Sequence, residues 1–242
     1  YPVPMSQITR DAVAEHGVKP RDAERSKNFF ALGLISWMYT RPIEPTMEFI
    51  STKFRGKELV IKANEAAFYA GYNFGETAEL FESHYEIKPA ELPSGEYTNI
   101  NGNTAISWGC IAAGQLAQLP IFLGSYPITP ASDILHDLSA LKHFGARTFQ
   151  AEDEIAAAAS AIGAAFGGAL AFTTTSGPGI ALKGEGLGLA VSLELPLVII
   201  DIQRGGPSTG LPTKPEQADL MMAMYGRHSE SPMPIVAPRS PA

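Results

Sequence analysis

The 242 residues carry a formal charge of −7, with 45% hydrophobic and 18% charged side chains. That composition belongs to a globular chain with room for one large domain, or one complete domain and part of another. It has no basic stripe, which argues against nucleic-acid binding, and no leader-like N-terminus or long Leu/Ile-rich span, which argues against a membrane segment. The single cysteine, Cys110, sits in an apolar run with no CxxC pattern. It is expected to be a buried free thiol of a reduced, cytoplasmic protein. The chain opens without Met and stops within what reads as a strand, so it is expected to be a piece of a longer protein.

Residues 1–80 read as mainly helical. "RDAERSKNFFALGLISWMYT" sets Phe29, Phe30, Leu32, Gly33, Leu34, Trp37 and Met38 on a broad apolar face. "RPIEP" breaks it. A short amphipathic helix follows with Met47, Phe49, Ile50 and Phe54 and a stop at Gly56. A third helix is expected over "ELVIKANEAAFYAGYNFGE". His16 and His84 are isolated and read as surface residues. Residues 81–101, polar and broken by Pro89, Pro93 and Gly95, are expected to be an extended linker.

From residue 102 the texture changes to strand and helix in alternation. "NTAISWGCIAAGQLAQ" is a small-residue helix with Asn103 as the expected N-cap. "PIFLGSYP" is a buried strand, and "TPASDILHDLSALKHFG" a helix with Thr129 at the cap and Pro130 in its first turn. "ARTFQ" is a strand, "AEDEIAAAASAIGAAFGG" a helix, "ALAFTTTS" a strand, "GPGIALKGEGLGLAVSLE" a helix and "LPLVIIDIQ" a strand. "KPEQADLMMAMYG" is expected to be a helix ending before Gly226, and "MPIVAP" the start of another strand. The strands are continuous apolar runs, so both sheet faces should be covered. The expected fold is α/β, a parallel sheet with helices on both faces, preceded by the helical segment. Functional loops should then lie at the carboxyl ends of the strands. These are "GSYPITPASD", "QAEDE" and "QRGGPSTGLPTK".

The common fingerprints are absent. There is no GxxxxGK[ST], GxGxxG or GxSxG, and His136 and His143 have no metal-ligand spacing; no metal site is expected. What remains is an acidic strand-to-helix turn. Glu152, Asp153 and Glu154 open a helix whose small residues Ala157, Ala161 and Gly163 permit close packing. Acids in a first turn are favoured by the helix dipole, which suffices for Glu152 and Asp153. Thr129 is open to either role, a cap or a site residue, or both. "RGGPSTG" is open to reading as a flexible loop. Arg204 follows an apolar strand directly, on the usual ligand side, and its fork suits a carboxylate.

The spacing of Glu154, Ala157, Ala161 and Gly163 resembles the pyrimidine-binding domain of thiamine-diphosphate enzymes. "YPITPASD", "TTSGPG" and "QRGGPSTGLPTKPEQADL" resemble, in order, the loops of the 2-oxoacid:ferredoxin oxidoreductases, over about residues 100–238. The resemblance implies that Glu154 hydrogen-bonds the aminopyrimidine ring and activates the cofactor through its proton. It implies that Tyr126, Pro127, Ile128 and Thr129 lie at the cofactor, and that Thr129 and Arg204 hold the 2-oxo acid and its developing charge. "SKNFFALGLISWMYTRPIEPTMEFISTKFRGK" and "ANEAAFYAGYNFGET" resemble the C-terminal part of a gamma-type domain fused ahead of the alpha domain. The implied division is 1–80 gamma-type, 81–101 linker and 102–242 pyrimidine-binding domain, truncated at its C-terminal end.

The implied reaction is oxidative decarboxylation of 2-oxoglutarate or a related 2-oxo acid with coenzyme A, giving acyl-CoA, CO2 and reduced ferredoxin. No GDG loop and no cysteine set occur in these residues. The resemblance implies that Mg2+ and a [4Fe-4S] cluster lie on a beta subunit, which shares the thiamine diphosphate and without which this chain is expected to be inactive. The alternatives are a pyrimidine domain of another thiamine enzyme, such as a transketolase-like one, or a non-catalytic assembly subunit.

Overall fold

Four parallel strands organise the second half of the chain, and helices alone make up the first. These features come from a computed structural model, which describes residues 2–78 and 83–241. It divides into two units, residues 1–95 and 96–242.

In the first unit, α1 (Met5–Ala14), α2 (Pro20–Ala23), α3 (Lys27–Met38), α4 (Glu44–Lys53) and α5 (Glu58–Thr77) follow one another. The helix predicted from Arg21 onward is thus broken, with a 3-10 turn at Glu24–Ser26 leading into α3. Helices α3 and α5 approach through reciprocal glycines. A Cβ on Gly33 would overlap the Phe68 carbonyl, and one on Gly71 the Phe30 carbonyl. Phe30, Phe68, Ile50 and Val13 are fully buried here. A buried hydrogen bond, Ser26 Oγ to Asn64 Oδ1 at 2.7 Å, ties the start of α3 to α5. Residues 83–101 are exposed and carry no helix or strand, and Phe81 and Glu82 of the predicted linker lie outside the described residues.

The second unit runs α6 (Gly102–Ala117), β1 (Ile121–Ser125), α7 (Ser132–Ala140), β2 (Ala146–Gln150), α8 (Glu154–Phe166), β3 (Leu170–Thr175), α9 (Pro178–Leu182), α10 (Gly184–Ser192), β4 (Leu197–Asp201) and α11 (Leu220–Tyr225). The sheet order is β2-β1-β3-β4, all parallel. Strand residues alternate between two cores. Ile121, Leu123, Ala146 and Phe172 pack on Cys110 and Ile111 of α6 and Ile134, Leu135 and Leu138 of α7. On the opposite face Ala171 packs on Ala161 and Ala165 of α8. Gly124 makes that second contact close, since a Cβ there would overlap Ser160 Oγ and crowd the Ala157 carbonyl. Among the described residues no helix is long and apolar enough to cross a membrane.

Several boundaries differ from the sequence reading. Asn101, not Asn103, caps α6, accepting from Thr104 N at 2.9 Å; with Gly102 free to enter the first turn, the earlier Asn takes the cap. The helix after β1 starts at Ser132 with no side-chain cap, so Thr129 is not its N-cap. The turn at 129–131 separates it from the first helical residue. The helix predicted over 177–194 breaks at Lys183 into α9 and α10. Helix α11 is shorter than predicted because the backbone before it is engaged elsewhere. Gly205 N bonds to Lys214 O, and Asp219 N to Gln203 Oε1. "MPIVAP" forms no strand; Pro234 and Pro238 each remove a donor that a ladder would need.

Candidate active site

The register levels the carboxyl ends of the strands. Ser125 lies opposite Gln150 on one side and Thr174 on the other, and Thr175 opposite Asp201. The loops after all four strands therefore leave one edge of the sheet. Ser125 Oγ and Thr174 Oγ1, 2.6 Å apart, lock β1 to β3 at that edge.

Two side chains hold the loop after β1. Arg204 Nη1 donates to the Thr129 carbonyl at 2.7 Å, and Asn103 Nδ2 donates to the Pro130 carbonyl at 2.9 Å. The carbonyls that would have entered a helix at Thr129 are turned outward to these donors. Tyr126 and Ile128 are half-buried, while Pro127 and Thr129 are exposed. Arg204 is buried, and its Nη2 donates to the Thr209 carbonyl at 2.7 Å. Both ends of its fork thus bind main chain, which joins the "YPITP" and "RGGPSTG" loops. Its Nε is buried without a partner among the described residues. The "RGGPSTG" loop is itself built, with Gly205 and Leu211 bridged and Gly210 at φ +58°, where a Cβ would overlap the Gly205 carbonyl.

The three acids after β2 separate by environment. Glu152 is exposed. Asp153 is the N-cap of α8 and accepts from Ala156 N at 2.7 Å. Glu154, first residue of α8, is half-buried, and its carboxylate makes no hydrogen bond among the described residues. Its Cγ lies beside Gly179, where an added Cβ would come to 3.1 Å and would also overlap Thr175 Oγ1. The glycine of "SGPG" therefore lets that turn pack directly against Glu154 and the end of β3. The preceding Gly177, at φ +43°, lies under the Arg204 side chain, its Cβ position 3.7 Å from Arg204 Cγ. The "TSGPG" loop is the element between Glu154 and Arg204. Thr129 and Arg204 are joined by a hydrogen bond, and no hydrogen bond joins Glu154 to either among the described residues.

Several residues at this edge escaped the sequence reading. Thr175 and Ser176 are fully buried with hydroxyls that find no partner among the described residues. Asp201, at the end of β4, is pushed up to about 7 by burial and then by the neighbouring Asp219 carboxylate; a bond from the Gly177 backbone opposes the rise. A charge inside "LPLVIIDIQ" was the available signal. Lys183 is fully buried and donates to the Glu154 carbonyl at 2.9 Å and to Thr173 Oγ1 at 3.0 Å. Nothing in "IALKGEG" distinguishes it from a solvated helix lysine.

Residues 113–242 match the family described as pyruvate flavodoxin/ferredoxin oxidoreductase, thiamine-diphosphate-binding. The 2-oxoglutarate oxidoreductase subunit KorA of Mycobacterium tuberculosis is 60% identical over 242 residues, covering all of this chain and 37% of that protein. The 2-oxoglutarate synthase subunit KorA of Archaeoglobus fulgidus is 47% identical over 142 residues, 58% of this chain and 40% of that one. A solved 2-oxoglutarate:ferredoxin oxidoreductase from Magnetococcus marinus, with 2-oxoglutarate, coenzyme A and succinyl-CoA bound, superposes at TM-score 0.69 and 38% identity, covering 96% of this chain and 38% of that one. The chain thus spans well under half the length of these relatives. A family model that matches more than half of the residues places the chain in the pyruvate flavodoxin/ferredoxin oxidoreductase family, within its thiamine-diphosphate-binding domain.

Proposed function

We propose that this chain supplies the pyrimidine-side half of the active site in a 2-oxoglutarate-type 2-oxoacid:ferredoxin oxidoreductase of the cytoplasm. The whole enzyme would convert 2-oxoglutarate and coenzyme A to succinyl-CoA and CO2, with the electrons passing to ferredoxin. The observation that carries this reading is the Glu154 carboxyl, half-buried and without a hydrogen bond at the level carboxyl edge of the sheet. The residues present fit an aminopyrimidine. Gly179 lets the "SGPG" turn close against Glu154 Cγ and Thr175, and the Glu154 carboxyl, unbonded among the described residues, is left to meet a ring nitrogen. Bound thiamine diphosphate would supply a nucleophilic carbon and an electron sink for decarboxylation.

Glu154 would hold a proton at its carboxyl and donate it to the ring nitrogen it faces. Tyr126, Pro127, Ile128 and Thr129 would wall the cofactor on the β1 side. Arg204 would fix that wall through the Thr129 carbonyl, leaving the exposed Thr129 hydroxyl for substrate. To take the substrate carboxylate as well, Arg204 would exchange one of its two carbonyl bonds. Mg2+, the diphosphate and a [4Fe-4S] cluster would be held by a beta subunit, which also meets ferredoxin. The helices of the first unit would be the end of a gamma-type domain.

The test is Glu154→Gln in the full-length chain assembled with its partner subunit. A lost general acid predicts a fall in turnover of about a hundredfold or more, with assembly unchanged. Unaltered turnover would remove the proposed role.

A further inference from the structure

Lys183 is a buried cation where two physical effects oppose one. It lies fully out of solvent, and it donates to a carbonyl in the first turn of α8, the positive end of that helix. The Glu154 carbonyl does not need it, since the first carbonyl of a helix already accepts from the N–H four residues on. A neutral side chain at the α9–α10 junction would avoid both effects. The charge is instead held on one residue, Glu154, and on Thr173 Oγ1 in β3.

We propose, resting on the function given above, that Lys183 is a positioning residue for Glu154: it pins the first turn of α8 to β3 and sets a fixed positive charge beside the Glu154 carboxyl. The geometry provides both parts. Thr173 lies on the central part of β3 and moves with the sheet, so the bridge from Thr173 through Lys183 to the Glu154 main chain fixes where α8 starts. Glu154 Cγ packs against Gly179 beside Thr175, so a shift of that turn moves the carboxyl itself. The charged groups facing Lys183 are Glu154 and Asp153, both from the start of α8. Strand β3 contributes only the Thr173 hydroxyl, and Glu185, on α10, is exposed. Burial lowers Lys183 to about 8, against the pull of Glu154 and Asp153, so it is mainly charged at neutral pH.

The experiment uses the full-length chain assembled with its partner subunit. Thiamine diphosphate with Mg2+ is titrated by calorimetry, and the near-ultraviolet circular dichroism of the bound cofactor is followed against pH. Wild type, Lys183→Met and Lys183→Arg are compared. Lys183→Met removes the charge held at the start of α8, so it should move the pH midpoint of the bound-cofactor signal by about one unit. It should also weaken cofactor binding about tenfold, the worth of one lost charge-assisted hydrogen bond's geometry. Lys183→Arg keeps a cation and should recover part of the midpoint. A Lys183→Met complex with wild-type affinity and midpoint overturns the proposal, as does a Lys183→Arg complex shifted as far as the Met one. If Lys183→Met does not assemble, Thr173→Val is read in its place. It removes one anchor of the ammonium and should move the midpoint in a measurable way; an unmoved midpoint overturns the proposal. A wild-type complex that binds no thiamine diphosphate overturns the function itself, an outcome distinct from binding that ignores Lys183.

Discussion

Glu152, Asp153 and Glu154 are neighbours in sequence and unlike in environment. Asp153 is accounted for by its bond to Ala156 N. Asp153→Ala should therefore cost about 1 kcal/mol of stability, a typical N-cap loss, and leave turnover within several-fold, as thermal unfolding and assay of the assembled complex would show. Asp201 gives a pH prediction. Its carboxyl rises to about 7 in the fold, from an ordinary value near 3.8. The native state then holds more protons than the unfolded chain between those values, so stability falls as pH rises through that window, and the penalty is complete above 7. Asp201→Asn should raise stability above pH 7 and make little difference near pH 4. Unfolding curves at the two pH values would check the sign. Of these residues, Glu154 was legible because its spacing to Ala157, Ala161 and Gly163 is a local pattern. Lys183 was not, because its burial is set by α8 and β3, which are remote in sequence.

At the scale of elements, β1 and β4 were legible as largely apolar runs, while β2, with Arg147 and Gln150, and β3, with three threonines, were legible through their alternation with helices. The capping residues were less so. Asn101 and Asn103 have the same side chain, and only the fold shows that one caps α6 while the other reaches Pro130. Thr129 failed as a cap because a turn at 129–131 separates it from α7, and its carbonyl serves Arg204 instead. Tertiary hydrogen bonds to "RGGPSTG" likewise shortened α11. The close packing of α8 on β1 rests on Gly124. Gly124→Ala should push the Ala157 carbonyl and Ser160 aside. Overpacking of that kind costs about 1–3 kcal/mol. Since it displaces the helix that carries Glu154, cofactor affinity should fall with stability; a stable variant with wild-type affinity would show that α8 tolerates the shift.

At the scale of the molecule, the described residues hold no cluster of three or more His, Cys, Asp or Glu suited to a metal. What they do hold is one level edge with a half-buried, unbonded carboxyl at Glu154 and a loop clamp at Arg204. On the proposed reading that is half of a site, with nothing assigned to the diphosphate. The α/β organisation and the family were legible from loop order, while the pocket walls depend on side chains brought together across the sheet edge. The most direct test of a shared site is a calorimetric titration of thiamine diphosphate with Mg2+ into the full-length chain alone and into the chain assembled with its partner subunit. The account predicts tight, Mg2+-dependent binding by the assembly and none of comparable strength by the chain alone. Equally tight Mg2+-dependent binding by the chain alone would contradict it.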